Sequence, residues 1–482
     1  MDALTWTGSL GTVLNPLLWV SVALLLLAVA GQVLASLLPA PQMRPRPDGT
    51  LVATTGLRGL ADTAGRFALL ALLAVLLAYI VAGALMPYGS AGIVGAVARR
   101  FAPVWISLAL VFALSIHFRR RLGLFGRLFD STIGMIGFGL VLFWVFTALY
   151  FTAFGWIATH DPLSQLSGMK NVLPGEPVAM APEGAWPHYL LGGDNLARDV
   201  FSRMVAGSAI VVLIAPLATL FAFMVGITLG LPAAYFGGRL DQILSFLANL
   251  VLAFPVILLF YLLVTPEIVQ TGIPSFMAMV LFVFPILFLA VLLDSRYRTD
   301  RRKRWPILAV TLAVTGWLYL SLVSQPGTPV NFLHPDVDLF NIPGGILIVF
   351  VSVVFVNSPT VFRIGRGLAL DLATRDYVAA AQTRGERPWY IMLWEMLPNA
   401  RGPLIVDFCL RIGYTTILLG TLGFFGLGLP PESPDWGTTI NDGRRFLSIY
   451  PHAAIVPALA LLSLVLGLNL LADGLREESL KD

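Results

Sequence analysis

The sequence predicts an all-α protein, a polytopic transmembrane helical bundle, and three observations predict it. Mean hydropathy is +0.83, only 12% of the 482 residues are charged, and apolar runs of about 17 to 25 residues, the length a helix needs to cross a bilayer, recur along the whole chain. These runs lie near 16–38, 67–87, 102–118, 134–158, 205–232, 243–264, 275–293, 306–323, 344–361, 403–425 and 453–473. The first has no basic n-region before it and is too long for a signal peptide, so it is expected to stay as a span.

The net charge of +4 does not point to nucleic acid, because the cations cluster in a few short loops. Loops rich in Lys and Arg stay on the cytoplasmic side. Arg44, Arg46, Arg58 and Arg66 mark one such loop, Arg119, Arg120, Arg121 and Arg127 a second, and Arg296, Arg298, Arg301, Arg302, Lys303 and Arg304 a third. Alternating from these anchors places the N-terminus outside and the C-terminus inside. Loops 265–274 and 324–343, assigned outside, contain neither Lys nor Arg. Arg99 and Arg100 run against the pattern.

A polar island from 363 to 403 interrupts the apolar runs. Gly367 to Arg384 has no proline and is rich in Leu, Ala, Arg and Gln, so it reads as a helix leaving the preceding span. Gly385 is placed to end it, since glycine accepts the left-handed conformation common at a helix C-cap. Pro388 suits the first turn of a second helix through Trp389 to Leu397. The expected product is helix, tight turn, helix, below the membrane; an ordinary helical linker is the plainer reading.

The order Ala379-Ala380-Ala381, three residues, Gly385, then Leu397-Pro398 closely resembles the EAA loop of ATP-binding cassette (ABC) importer permeases. In that family the loop is a coupling helix seated in a groove of the ATPase. Ala379 stands where the family usually has Glu. Four further stretches resemble, in the same order, landmarks of the binding-protein-dependent dipeptide, oligopeptide and nickel permeases of the second-permease type. Gly192 to Arg203 resembles the segment before the family's second span, with Gly193 and Ala197 where Thr and Gly are usual; locally it reads as a helix start capped by Asp194 or Asp199. Ala234 to Asp241 resembles the short inner turn. Phe424 to Gly437 resembles the outer loop between the last two spans, its glycines permitting close backbone packing. Asn469 to Arg476 resembles the exit into the cytoplasm. Within the span before 264, Ala253-Phe254-Pro255 is expected to bring a kink.

The resemblance implies a type I ABC importer permease with extra N-terminal spans at 1–130, a permease domain at 131–482, an inserted two-span segment at about 265–343 and the coupling loop at 363–403. It implies Ala379, Ala380, Ala381, Arg384, Gly385, Arg387 and Pro398 as the residues that couple to the ATPase. It also implies a different second permease, two ABC ATPase subunits carrying ATP and Mg, a periplasmic substrate-binding protein and a bacterial inner membrane, with peptides the commonest cargo.

The chemistry a self-sufficient enzyme needs is missing. There is no G-x-x-x-x-G-K-[ST] loop for ATP phosphates, so energy is expected to enter from another subunit, and there is no H-E-x-x-H, G-x-S-x-G or C-x-x-C. The single Cys409 supports neither a disulfide nor a thiolate metal site, and the five histidines, His117, His160, His188, His334 and His452, have no ligand spacing. No catalytic, cofactor or metal residue is assigned, and the substrate path stays open. The rival class is a secondary transporter or polytopic membrane enzyme with a merely structural loop. Such a transporter usually carries ionisable groups deep in its spans, which here are nearly free of them. Asp407 and Arg411, four apart, read as an ion pair within one helix, and Asn249, Asn357 and Asn469 as sources of helix-to-helix hydrogen bonds.

Overall fold

The computed structural model describes residues 2–37, 43–45, 51–53, 57–179, 186–324, 344–427, 430 and 432–479. Arg46, His334, the stretch 325–343 and Gly428, Leu429 and Pro431 of the outer loop lie outside the described residues.

Most of the described chain is helical. The longer helices are α1 (Gly11–Ser36), α2 (Leu57–Leu85), α3 (Tyr88–Arg100), α4 (Ala102–His117), α5 (Thr132–Phe154), α6 (Val200–Phe236), α7 (Gly238–Leu252) and α8 (Val256–Val264). After them come α9 (Ile273–Leu281), α10 (Val283–Arg296), α11 (Arg301–Val323), α12 (Gly344–Ala373), α13 (Asp376–Thr383), α14 (Arg401–Phe424), α15 (Trp436–Arg444) and α16 (His452–Ser479). Among the described residues nine helices are long and apolar enough to cross a membrane, and eleven if each of two bent pairs is one span. The protein is a multi-pass membrane helical bundle.

The apolar run at 243–264 is where the bend is sharpest. Instead of a kink inside one helix, α7 and α8 meet at 83°. Pro255 has no N–H to donate and its ring disfavours a helical Phe254, so the chain stops and restarts there, with Pro255 at the N-cap of α8.

The chain forms two compact units, Met1–Ile106 with Ile157–Ser202 and Ser107–Trp156 with Arg203–Asp482. In the first, α1 packs on α2, and the Tyr79 hydroxyl donates to Asn15 Oδ1 at 2.6 Å across that pair. Arg100, which runs against the charge pattern, has its guanidinium 4.5 Å over the Trp186 ring, a packed cation rather than a loop charge. The segment before α6 is held by buried carboxylates. Asp199 is the cap, accepting from Ser202 N at 3.1 Å, whereas Asp194 forms a buried ion pair with Arg198 at 2.7 Å.

In the second unit α12 is wrapped by apolar side chains of α6, α8, α9, α11 and α14, with Val349, Val351, Val353 and Val354 wholly buried. On another side α5 and α16 approach through glycines. A Cβ at Gly137 would stand 2.3 Å from the Leu471 amide nitrogen, and one at Gly474 only 2.5 Å from the Gly134 Cα. Small residues permit this approach, which in lipid supplies the packing that the hydrophobic effect does not. Gly137→Leu is therefore expected to cost about 1–3 kcal/mol and lower the thermal unfolding midpoint in detergent. Gly139→Leu, whose site meets only the Phe112 ring at 3.5 Å, is expected to change it little.

Candidate functional site

The polar island folds as an elbow. α12 carries the span without interruption out to Ala373. The single helix expected over Gly367 to Arg384 is broken at Thr374 and Arg375. The Thr374 hydroxyl donates to the Asp371 carbonyl at 2.9 Å, the Arg375 amide turns back to the Leu372 carbonyl at 3.1 Å, and Arg375 is extended. The break has a tertiary reason. A straight helix would run on into water, whereas the restarted α13 buries Val378 and Ala381, one turn apart, against the protein.

Gly385 ends α13 as its position in the sequence requires. Its φ is +77°; its amide donates to Gln382 O at 2.9 Å and the Glu386 amide to Ala381 O at 3.2 Å. That pair of bonds is the Schellman closure, which satisfies carbonyls the last turn leaves open. Arg387 is the extended N-cap of the second helix and Pro388 its first residue. From Ile391 to Met396 this helix widens into a π-turn before Leu397–Asn399. Pro398 donates no N–H and crowds the carbonyl four residues back, which a wider turn relieves.

The underside of the elbow is apolar and deeply buried. Val378, Ala381, Ile391, Met392 and Met396 have no exposed surface and pack with Phe223, Ile227, Leu231 and Ala234 of α6 and Val361 and Ala369 of α12. Each large apolar side chain so buried contributes about 1.5–3 kcal/mol. Polar bonds fix the position. Gln382 Nε2 donates to the Tyr235 hydroxyl at 3.4 Å, and Arg366 Nη2 to Asp241 Oδ2 at 2.6 Å. The residues Ala234 to Asp241 thus meet the elbow at the same end of the unit.

Of the residues assigned from the sequence, Ala379, Ala380, Arg384, Gly385, Arg387 and Pro398 are exposed, and Ala381 faces the core. Arg384 closes the elbow on itself through Glu395 at 2.8 Å; both side chains meet water, so the pair is worth about 0–1 kcal/mol. Burial pushes the phenol of Tyr377, on α13 itself, above its ordinary pKa. Nothing in the sequence singles out Glu395, Tyr235 or the indole of Trp394, which donates to Ser295 Oγ at 3.0 Å. Tyr235 and Trp394 act across the fold and Glu395 within the elbow, and no local pattern marks these pairings.

At the other end of the same unit the loop before α15 is pinned to α6. Arg203 Nη2 donates to the Ser433 carbonyl at 2.9 Å and to Thr439 Oγ1 at 3.1 Å, while the buried Trp436 indole donates to Met204 O at 2.8 Å. Gly437 lies so close to α14 that a Cβ would stand 2.2 Å from the Gly420 carbonyl. Asp435 caps α15 at Thr438 N, 3.0 Å; burial pushes its carboxyl up, against bonds from Thr438 and the charge of Arg203 that pull it down. Midway, Asn357 Nδ2 donates to Thr415 Oγ1 at 3.3 Å, and Thr415 Oγ1 lies 3.3 Å from Thr219 Oγ1. These are interhelical bonds of α6, α12 and α14. Asp407 and Arg411 pair along α14 at 3.1 Å.

Residues 226–477 match the family model for the binding-protein-dependent transport system inner membrane component. The chain belongs to this family. It is 29% identical over 295 residues, 61% of this chain and 73% of the relative, to the glutathione transport system permease protein GsiD of Pectobacterium atrosepticum. It is 28% identical over 295 residues, 61% of this chain and 75% of the relative, to the dipeptide transport system permease protein DppC of Haemophilus influenzae. The probable D,D-dipeptide transport system permease protein DdpC of Escherichia coli is 26% identical over 322 residues, 67% of this chain and 79% of that protein.

The burial pattern of this family member separates two alanines by role. Ala381→Leu is expected to lift α13 from its seat and open the elbow to trypsin at the Arg384–Gly385 bond, whereas Ala380→Leu is expected to leave the digestion pattern unchanged. Limited proteolysis of the purified proteins checks this.

Proposed function

We propose that this chain is the permease subunit of an ATP-driven ABC importer of peptides, set in a bacterial inner membrane with its C-terminus and elbow in the cytoplasm. A second, different permease, two ABC ATPase subunits that bind ATP and Mg, and a periplasmic binding protein complete the assembly. This chain performs no hydrolysis. The observation that carries the reading is the elbow's two-sidedness: a polar face with Ala379, Ala380, Arg384, Gly385 and Arg387 exposed, and an underside locked into α6 and α12. Peptides are the reading for the cargo because relatives are named for dipeptide and glutathione transport.

Mechanically, closure of the ATPase pair displaces the exposed face of α13, and the buried underside passes the displacement to the two spans it grips. Ala381 transmits and the exposed residues receive. The central path alternates as a population shift, driven by contacts that differ between the two states.

Gly385 is the sensitive joint. A β-branched residue at φ +77° is strained by about 1–2 kcal/mol or more, enough to deplete the closed turn by about tenfold. In proteoliposomes with the ATPases and binding protein, Gly385→Val is expected to insert normally and lose ATP-driven peptide uptake. Gly385→Asn, which tolerates the left-handed region, is expected to retain most of it. Undiminished uptake by the Val variant contradicts the proposal.

A further inference from the structure

Between the inserted span pair and the elbow lies a cavity of 780 Å³. It is formed by the last two turns of α10, the turn that follows, Leu308 and Leu312 of α11, and residues 386–390 of the elbow. Arg296, Arg298 and Arg387 line it, and all three are exposed. Two carboxylates line it as well, Asp294 and Glu386. Asp294 is already taken by Arg304 Nε at 2.6 Å, which leaves three cations facing one uncommitted carboxylate. The guanidinium of Arg296 lies 4.8 Å from the Trp394 ring centre. Its face is thereby covered while its in-plane N–H donors stay available, the fork geometry that suits a phosphate.

The same cavity has an apolar wall. Leu308 and Leu312 of α11 line it, about 10 and 16 Å along the helix from Arg301 at 1.5 Å per residue. Trp305, 63% exposed, stands one turn in from the helix start, where aromatic side chains mark a membrane interface. A free anion would fill only the basic mouth. A phosphate attached to an acyl chain fills both parts.

We propose that this cavity binds an anionic phospholipid, its headgroup phosphate held by Arg296, Arg298 and Arg387 and its chain lying along Leu308 and Leu312. The bound lipid bridges the inserted spans and the elbow, and those spans thereby turn the leaflet's composition into support for the coupling element. The inference rests on the reading that sets the elbow at the cytoplasmic membrane face, but not on the docking of an ATPase.

The test uses the full chain, purified in mild detergent and titrated with phosphatidylglycerol, with phosphatidylcholine of the same chains, and with inorganic phosphate; native mass spectrometry reads retained lipid and thermal unfolding reads protection. Phosphatidylglycerol is expected to be retained over phosphatidylcholine, and Arg298→Glu to lower that retention about fivefold or more. Leu312→Trp, which fills the chain's wall, is expected to lower it too, while Arg120→Glu in another loop leaves it unchanged. Equal retention of both lipids, or an Arg298→Glu protein that holds phosphatidylglycerol like the parent, overturns the proposal. Protection by inorganic phosphate equal to that by phosphatidylglycerol, indifferent to Leu312→Trp, overturns it in favour of a free-anion site. No ATPase is present in the titration, so a failure here leaves the importer reading standing, and a failure of ATP coupling leaves this result intact.

Discussion

The burial of the elbow's underside is the interaction on which the rest depends. A polar helix-turn-helix at the edge of a membrane has no reason of its own to hold one orientation, since short isolated helices are marginal in water. Val378, Ala381, Ile391, Met392 and Met396 supply that reason by packing onto α6 and α12. Set beside several buried side chains at about 1.5–3 kcal/mol each, the exposed Arg384–Glu395 pair at about 0–1 kcal/mol is a minor fastening. Packing therefore holds α13 to the spans, and charge serves mainly to trim the turn.

The anchored spans extend that grip. From Arg203 to Tyr235, α6 covers about 48 Å at 1.5 Å per residue, joined to the loop before α15 by Arg203 at one end and to the elbow by Tyr235 at the other. Between them the Thr219, Thr415 and Asn357 contacts tie α6 to α12 and α14. Stretches that look unrelated along the chain, Arg203 and the residues around Trp436, or the inner turn and the elbow, are pairs of fastenings at opposite ends of one set of helices.

Much of this was legible in the sequence because it follows from local rules. Apolar length marks spans, Gly385 followed by Pro388 marks a stop and a start, and Pro255 marks an interruption. What stayed hidden arises from tertiary contacts. Nothing in Leu372-Ala373-Thr374-Arg375 breaks a helix by propensity; the break lets Val378 and Ala381 be buried. Ala381 looks like its neighbours in the sequence, and only the helical phase set by that break turns it inward. The pairing of Glu395 with Arg384 and of Tyr235 with Gln382 was invisible for the same reason, whereas the π-turn has a local cause in Pro398 that helix propensity alone does not convert into a wider turn. The 83° turn at Pro255 was foreseen in place but not in degree, since a proline's local effect does not set the angle at which the next helix packs.

The most direct test places a reporter on the elbow's outer face. Cys409, the single cysteine, is buried, so Cys409→Ser with Ala380→Cys gives a protein labelled at one chosen position. A membrane-impermeant maleimide is applied to sealed vesicles of either orientation, with and without the partner ATPase. Labelling only from the cytoplasmic face, suppressed when the ATPase is bound, is the predicted result. Labelling from the opposite face, or labelling that the ATPase does not change, contradicts the account.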